Sequence, residues 1–253
     1  MTSVVDSLFL LAFSDTHLMH KEVEEWLEVN GAPHVWDVFV FAGDATPMGR
    51  HFEVQPFLLW LNKMQKKYQV DIVFIAGNHD FLFERESALA EQMIKDLNNP
   101  RIHYLNDSGV EIEGVKFWGS PITPWFHDWA FNRERGPEIR EHWDLIPKDT
   151  DVLVTHGPPE NILDGIPHRK YGFTQDYRYK EYDLGTEHVG CNELREAVLH
   201  EVKPQAHVFG HIHEAYGTEY HEGIQFINAS SLDGNYRPLN DPIEFTVRRP
   251  KDE

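Results

Sequence analysis

Five short apolar runs, each followed at once by a small polar cluster, constrain this chain more than any other feature. The runs are residues 8–13, 38–42, 72–76, 152–155 and 206–209, rich in Val, Ile, Leu and Phe and almost free of polar residues. Strands buried on both faces of a sheet read this way. The clusters behind them are Asp15-Thr-His17, Gly43-Asp44, Gly77-Asn-His-Asp80, His156-Gly157 and Gly210-His-Ile-His213. In open α/β sheets, ligands bind just outside the carboxyl ends of the strands. One rim would therefore receive Asp15, His17, Asp44, Asn78, His156, His211 and His213, the inventory of a two-metal centre.

Between the runs, apolar residues recur at helical spacing. Residues 21–30 carry Val23, Trp26 and Leu27, residues 52–67 carry Phe57, Leu58, Leu61 and Met64, and residues 84–97 carry Leu89, Met93 and Leu97. Alternating strand and helix predicts βαβ units and a largely parallel sheet. From Ile102 the style changes. Residues 110–113 and 115–119 flank Gly114 and predict an antiparallel hairpin, and residues 215–220, 224–228 and 243–247 predict strands with no helices between them. The expected fold is α/β, a four-layer αββα sandwich of two mixed sheets flanked by helices. Clusters from both halves must meet at one site, so residues 1–253 are expected to form a single domain. Residues 161–189 stand apart. They lack periodicity, and their aromatic and basic content predicts a lid loop. Its Tyr171, Tyr177, Tyr179 and Tyr182 would stack on a base, and Arg169, Lys170 and Arg178 would offset phosphate charge. Trp125, with Phe126 and His127, offers a second wall.

A net charge of −19 with His neutral counts against a long nucleic acid as partner. It leaves room for a small phosphorylated substrate, because bound divalent cations invert the local field. A single Cys excludes an internal disulfide, and a reducing, cytoplasmic setting is the default. No apolar stretch at the start of the chain is long enough to span a bilayer, so no membrane partner is expected. Self-association as a homo-oligomer stays open.

The clusters carry specific chemistry. Asp15 and His17, two apart in extended chain, would face the same way and offer a hard oxygen and an imidazole to a first cation. Asp44 has two carboxylate oxygens with which to bridge two cations. Asn78 adds a neutral amide oxygen, His156 and His211 complete the second site, and His213 reaches back to the first. These O and N donors, without thiolate, suit two divalent metal ions, Mn or Fe before Zn. Gly77, Gly157 and Gly210 each stand beside a ligand, where backbone must pass close to metal or substrate. Two cations about 3.5–4 Å apart hold a hydroxide and clamp the phosphoryl oxygens of an ester. His79, not needed as a ligand, is placed to protonate the leaving oxygen, and Asp80 either orients its ring or caps a helix beginning near Glu84. Alone, a Gly-Asp is usually a turn and an Asp-x-His means nothing. Five clusters in order, each behind an apolar strand, do not arise by chance. His20, His34, His51, His103, His142, His200 and His221 lack such context and read as surface or packing residues.

Taken together, Asp-x-His, Gly-Asp, Gly-Asn-His-Asp, His-Gly and Gly-His-x-His resemble the signature of the calcineurin-like metallophosphoesterase superfamily. The resemblance implies one metal on Asp15, His17, Asp44 and His213, a second on Asp44, Asn78, His156 and His211, and His79 at the leaving group. Residues 43–49, Gly-Asp-Ala-Thr-Pro-Met-Gly, lack the Gly-Asp-x-x-Asp-Arg-Gly of Ser/Thr protein phosphatases, which argues against a phosphoprotein substrate. Phe117-Trp-Gly-Ser-Pro121, Thr155-His-Gly-Pro-Pro159, Val189-Gly-Cys191 and residues 207–214 look like the metallophosphoesterase-domain-containing family. That likeness implies hydrolysis of small phosphodiesters, including 2′,3′- or 3′,5′-cyclic nucleotides; Asn78 and His79 from the motifs, with Arg169 from the loop and Trp125 from the second wall, are the expected substrate contacts. Some members of that family have Gly in place of His211 and are weak enzymes; this chain keeps the His. Phosphomonoester hydrolysis, cleavage of short oligonucleotides and a non-catalytic scaffold are the competing readings.

Overall fold

The computed structural model describes residues 7–32, 35–173 and 179–250, with the side chains of 170–173 and 179–182 outside the description. His34 and the expected base-stacking and basic residues Lys170, Tyr171, Tyr177, Arg178, Tyr179 and Tyr182 thus lie outside the described side chains.

The chain opens with β1 (Ser7–Phe13), α1 (His20–Asn30), β2 (Val38–Ala42), α2 (His51–Tyr68) and β3 (Asp71–Ile75). The helical pattern over 84–97 is realised as two helices, α3 (Phe81–Arg85) and α4 (Ser87–Asp96), which break at Glu86 where ψ reaches 46°. After β4 (Ile102–Tyr104) comes the hairpin β5 (Ser108–Ile112) and β6 (Val115–Ser120), paired antiparallel about Gly114, whose φ of +83° suits a residue without Cβ. A two-residue ribbon, β7 (Thr123–Pro124) with β8 (Asn132–Arg133), precedes α5 (Pro137–Trp143) and β9 (Val152–Thr155). Next come β10 (Gly165–Phe173), β11 (Tyr179–His188), α6 (Asn192–Glu196) with a π-helical continuation Ala197–Val202, and β12 (Ala206–Phe209). A 3₁₀ turn (His213–Ala215) leads to β13 (Gly217–His221), β14 (Ile224–Asn228) and β15 (Ile243–Arg248).

One sheet runs β15-β1-β2-β3-β4, the other β13-β14-β12-β9-β6-β5. In the first, β1 to β4 are parallel and β15 is antiparallel to β1; in the second, β6, β9, β12 and β14 are parallel and the two outer strands antiparallel. Period-two alternation divides the side chains between two cores. Leu8, Leu10, Ala12, Val38, Val40, Val73 and Ile75 meet Phe117, Val152, Val154, Ala206, Val208 and Ile227 between the sheets. Their neighbours Leu11, Phe13, Phe39, Phe41 and Phe74 pack outward with Val23, Leu27, Phe57, Leu61 and Met64 of α1 and α2, while Leu153 and Phe209 share that cluster with Trp143, Leu194 and Val198. This is an αββα sandwich, and it explains why the apolar runs show no alternation: both faces are buried.

Register aligns the strand ends. Phe13 pairs with Phe41, Ala42 with Ile75, Ser120 with Thr155, and Val154 with Val208. The loops after β1, β2, β3, β9 and β12 therefore leave from one rim.

The irregular loop expected over 161–189 is instead an antiparallel hairpin, β10 with β11, with a register shift between Pro167 and Arg169. From residues 167 to 169 and 183 to 188 its described side chains are exposed. Among its described residues no buried face imposes an apolar alternation, in keeping with a sequence that carries no strand period.

Candidate metal centre

Asp15, His17, Asp44 and His211 all lie in the left-handed region, with φ of 50°, 40°, 55° and 70°. Such backbone costs on the order of 1–2 kcal/mol per non-Gly residue and persists only where surroundings enforce it. Here the turns are bonded to one another: Asp15 N donates to Gly43 O (2.9 Å), His17 N to Asp44 O (3.2 Å) and Leu18 N to Ala45 O (2.9 Å). Asp15 and His17 thus converge through a tight turn, not through the extended chain that their two-residue spacing suggested.

Among the described residues three groups of possible metal-ligating atoms result, each within 4.8 Å: Asp15, His17 and His213; His17, Asp44 and His79; Asp44, His156 and His211. Asp44 joins two of them. Its Oδ2 lies 3.8 Å from His17 Nε2, 3.9 Å from His79 Nε2 and 3.3 Å from His156 Nε2, while Oδ1 accepts the His79 N–H at 2.8 Å. Asp15 Oδ1 is 3.4 Å from His213 Nε2, and its carboxylate is held by Ser14 Oγ, by Ser230 Oγ (3.0 Å) and by the His211 N–H.

The donors fit divalent cations on several counts. The second nitrogen of two imidazoles is committed to backbone, His156 Nδ1 to Ala42 O (2.9 Å) and His213 Nδ1 to Asp233 O (3.2 Å), the usual way a ligating His is oriented. With that hydrogen placed, His156 Nε2 turns a lone pair toward Asn78 Oδ1 (2.8 Å) and Asp44 Oδ2. Only a proton or a cation reconciles so many acceptors. His17 Nε2 is buried without a hydrogen-bond partner. Gly77 and Gly210 serve the carboxylates: an added Cβ would stand 2.2 Å from Asp44 Oδ1 and 2.0 Å from Asp15 Oδ2. Gly157 is different, with its nearest neighbour at 3.5 Å, so its proximity to a ligand imposes no such crowding.

The electrostatics express the same concentration of charge. Burial pushes the carboxyls of Asp15 and Asp44 upward. The neighbouring imidazoles outweigh it, His213 and His156 for Asp15 and His156, His79 and His17 for Asp44, and hold both below the usual carboxylate range. Burial lowers His156, yet Asp44 beside it brings it up to about 9; half-buried His211, desolvated and next to His156, is pushed down to about 3.

His79 presents its Nε2 to the site because its Nδ1 bonds Pro47 O at 2.8 Å and its ring packs on Trp129, centroids 4.1 Å apart. Asp80 performs neither expected role. It sits at the N-cap of α3 without a side-chain capping bond, and its carboxylate does not touch the His79 ring. Instead it accepts Ala45 N–H (3.1 Å), Thr46 N–H (3.0 Å), Thr46 Oγ1–H (2.7 Å) and Gly77 N–H (2.9 Å), which joins the loops after β2 and β3.

A cavity of about 490 Å³ opens above these donors, lined by Asp44, Asn78, His79, His211 and His213 and then by Trp125, Phe126, Trp129 and Tyr236. Trp125 lines this cavity. Arg169 does not; it lies exposed on β10 away from the lining, and the hairpin contributes Ile166, Glu187 and His188 instead. Trp129, Arg135, His188 and Tyr236 carried no sequence signal, since each is a lone residue outside any motif. Of the histidines assigned to packing, His20 is buried, bonded to Thr16 Oγ1 (2.8 Å) and stacked on Trp60.

Residues 10–215 match the family model described as calcineurin-like phosphoesterase. Metallophosphoesterase domain-containing protein 1 of Homo sapiens is 36% identical over 233 residues, covering 85% of this chain and 66% of the relative, so the chain spans just under two thirds of that protein's length. UPF0046 protein C25E10.12 of Caenorhabditis elegans is 31% identical over 251 residues, covering 95% of this chain and 81% of the relative. Among solved structures, TT1561 of Thermus thermophilus shares the fold, with a TM-score of 0.59 at 13% identity over 96% of this chain and 100% of that one. The family match runs through every loop that delivers a donor to the rim: the chain belongs to the calcineurin-like phosphoesterases.

Proposed function

We propose that the chain hydrolyses small phosphodiesters, cyclic nucleotides first among them, with Mn or Fe on two sites. Asp15, His17, Asp44 and His213 would hold one cation and Asp44, Asn78, His156 and His211 the other. When bound, such cations supply positive charge for the phosphoryl oxygens and acidify the attacking water. The observation that carries the diester reading is the cavity itself, whose floor is the donor cluster and whose wall is Trp125, Phe126 and Trp129. A volume of this order holds a nucleotide, and indole and phenyl faces take a base or other flat group beyond the phosphorus.

The chain's own part in the reaction falls to His79. Pro47 O can only accept, so Nδ1 keeps its hydrogen and Nε2 is the nitrogen that moves a proton. It delivers that proton to the departing alkoxide as the P–O bond breaks, and the ring becomes neutral. Asn78, beside it, is both a candidate ligand and a substrate contact. Motifs from both halves of the chain supply this one site, which supports reading residues 1–253 as one catalytic domain. The lone Cys191 is buried, and burial pushes its thiol up to about 11, in keeping with an inert residue and a cytoplasmic setting. Among the described residues no helix is long and apolar enough to cross a membrane.

Turnover of 2′,3′- and 3′,5′-cyclic nucleotides, bis-p-nitrophenyl phosphate and p-nitrophenyl phosphate by the metal-supplemented protein tests the reading. Monoester turnover far above diester turnover would replace it with a phosphomonoesterase.

A further inference from the structure

One corner of the cavity is built around a segment that the metal donors and His79 leave unexplained. His188, the last residue of β11, lines the cavity with its side chain 48% exposed, yet its Nδ1 lies 2.6 Å from Oδ1 of Asp164, a carboxylate with no exposure at all. The other oxygen of Asp164 accepts the N–H groups of Asn161 and Gly190, each at 2.9 Å. A surface imidazole needs no such anchor. Sinking a carboxylate costs several kcal/mol unless it is fully bonded, and here one of its oxygens serves only to hold a ring.

The anchor is registered to the metal donors. Buried Asn228 Nδ2 donates to Leu163 O (3.2 Å) and to Ile212 O (2.8 Å), which ties the residue before Asp164 to the residue between His211 and His213. From the opposite side Arg135 donates to Val189 O (2.8 Å) and Gly190 O (2.9 Å). Those two bonds use part of a five-donor guanidinium that is exposed and lines the same cavity. An ionised carboxylate only accepts, so Nδ1 of His188 gives its hydrogen to Asp164, and Nε2, protonated when an anion binds, is the donor left for the cavity, with Asp164 balancing the imidazolium charge.

We propose that His188 and Arg135, with Asp164 as the positioning residue, form a subsite for a second anionic group of the substrate, a phosphate other than the ester being cleaved. Among the described lining residues there is no Lys and no other Arg, and the acidic ones beyond Asp44 are Glu187, next to His188 in the chain, and Glu214. Beyond the metal donors and His79, the cationic groups available to an anion are therefore gathered at this corner. The inference rests on the phosphoester reading and narrows it: diesters that carry a further phosphate are preferred over simple cyclic nucleotides.

Calorimetric titration of the metal-supplemented protein with adenosine 3′,5′-bisphosphate, 5′-AMP and 3′-AMP tests it. Hydrogen bonds to charged groups predict that the bisphosphate binds about ten- to a hundredfold more tightly than either monophosphate. His188→Ala and Arg135→Ala should each bring that ratio to within roughly threefold. Asp164→Asn keeps the outline of the anchor, but its amide must keep the oxygen on the two backbone N–H groups and turn its NH₂ to His188. That leaves a neutral ring with its hydrogen on Nε2 in place of an imidazolium balanced by a carboxylate, a change visible in its ¹⁵N shifts, and lowers the ratio without unfolding the protein. The exposed His200→Ala is the control and leaves the ratio unchanged. Equal affinity for all three nucleotides, or a preference that survives both His188→Ala and Arg135→Ala, would overturn the subsite alone. Binding of none of them would overturn the phosphoester reading and the subsite with it.

Discussion

Both donors of Thr46 converge on a single oxygen of Asp80, the backbone N–H at 3.0 Å and the hydroxyl at 2.7 Å. The other oxygen takes Ala45 N–H and Gly77 N–H. Asp80 is thus a rivet between the loop that carries Asp44 and the loop that carries Asn78 and His79. Removing it strands buried donors, each worth about 1–3 kcal/mol. Asp80→Ala should therefore lower stability in urea by at least about 3 kcal/mol and reduce metal content as well as rate. Full metal content with only a rate loss would show that Asp80 acts in the chemistry and not in the scaffold.

Asp44 and His79 should separate in the opposite sense. Asp44 Oδ2 faces imidazoles of both proposed metal sites, so Asp44→Ala is expected to abolish metal occupancy and activity together. His79→Ala should retain metal and lose rate by about 10²–10⁴-fold on esters with poor leaving groups. Equal losses on p-nitrophenyl and alkyl esters would contradict proton donation by Nε2.

Trp129 stands against the face of His79 at 4.1 Å and is itself layered on Phe81, with centroids 5.8 Å apart. The Pro47 bond fixes one point of the His79 ring; Trp129 fixes its plane. Trp129→Leu is expected to keep metal content and to slow alkyl esters about tenfold more than p-nitrophenyl esters, since only the former need an aimed proton. A uniform loss would assign Trp129 to substrate binding.

The sandwich of two mixed sheets was legible, and so was the rim on which the candidate donors gather, because both follow from strands buried on two faces: such strands leave unbroken apolar runs, and parallel pairing puts their ends on one rim. What lay beyond the sequence has two physical causes. The described side chains of the hairpin β10–β11 at 167–169 and 183–188 are exposed and so leave no period to read. The turns at Asp15, Asp44 and His211 occupy the left-handed region without Gly, and only the surrounding hydrogen bonds make that tolerable. Asp80, read as an orienter or a cap, proved to be a cross-loop tie because its partners lie 34 and 35 residues away.

His211 combines a donor side chain with a φ of 70° that favours Gly. His211→Gly should therefore leave thermal stability unchanged or slightly raised while the second-site cation is bound more weakly. Metal analysis and calorimetric melting, run on the same preparation, check both halves. A large drop in melting temperature with full metal content would show that His211 is a packing residue.

His207 offers a pH dependence that does not involve the metal donors. It is fully buried in the middle of β12, its Nε2 on Thr155 Oγ1 at 2.8 Å and its ring against Phe209 and Phe226. Thr155 Oγ1 gives its own hydrogen to Gly157 O, so Nε2–H donates to Thr155 and Nδ1 is left without a partner. Burial accordingly pushes His207 down to about 3. With an unfolded value near 6.5, the unfolded chain takes up the proton first, so the folded state is favoured above that pH and loses ground as pH falls toward 3. The loss is about 1.4 kcal/mol per pH unit. His207→Leu removes this term, and at pH 8 it loses one hydrogen bond. In urea denaturation at pH 8, 6 and 5, the wild-type advantage should shrink with acid and the variant should draw level or overtake it by pH 5. A difference in stability that stays constant across that range would mean that His207 is able to take up a proton in place, against the reading of a neutral imidazole locked in the core.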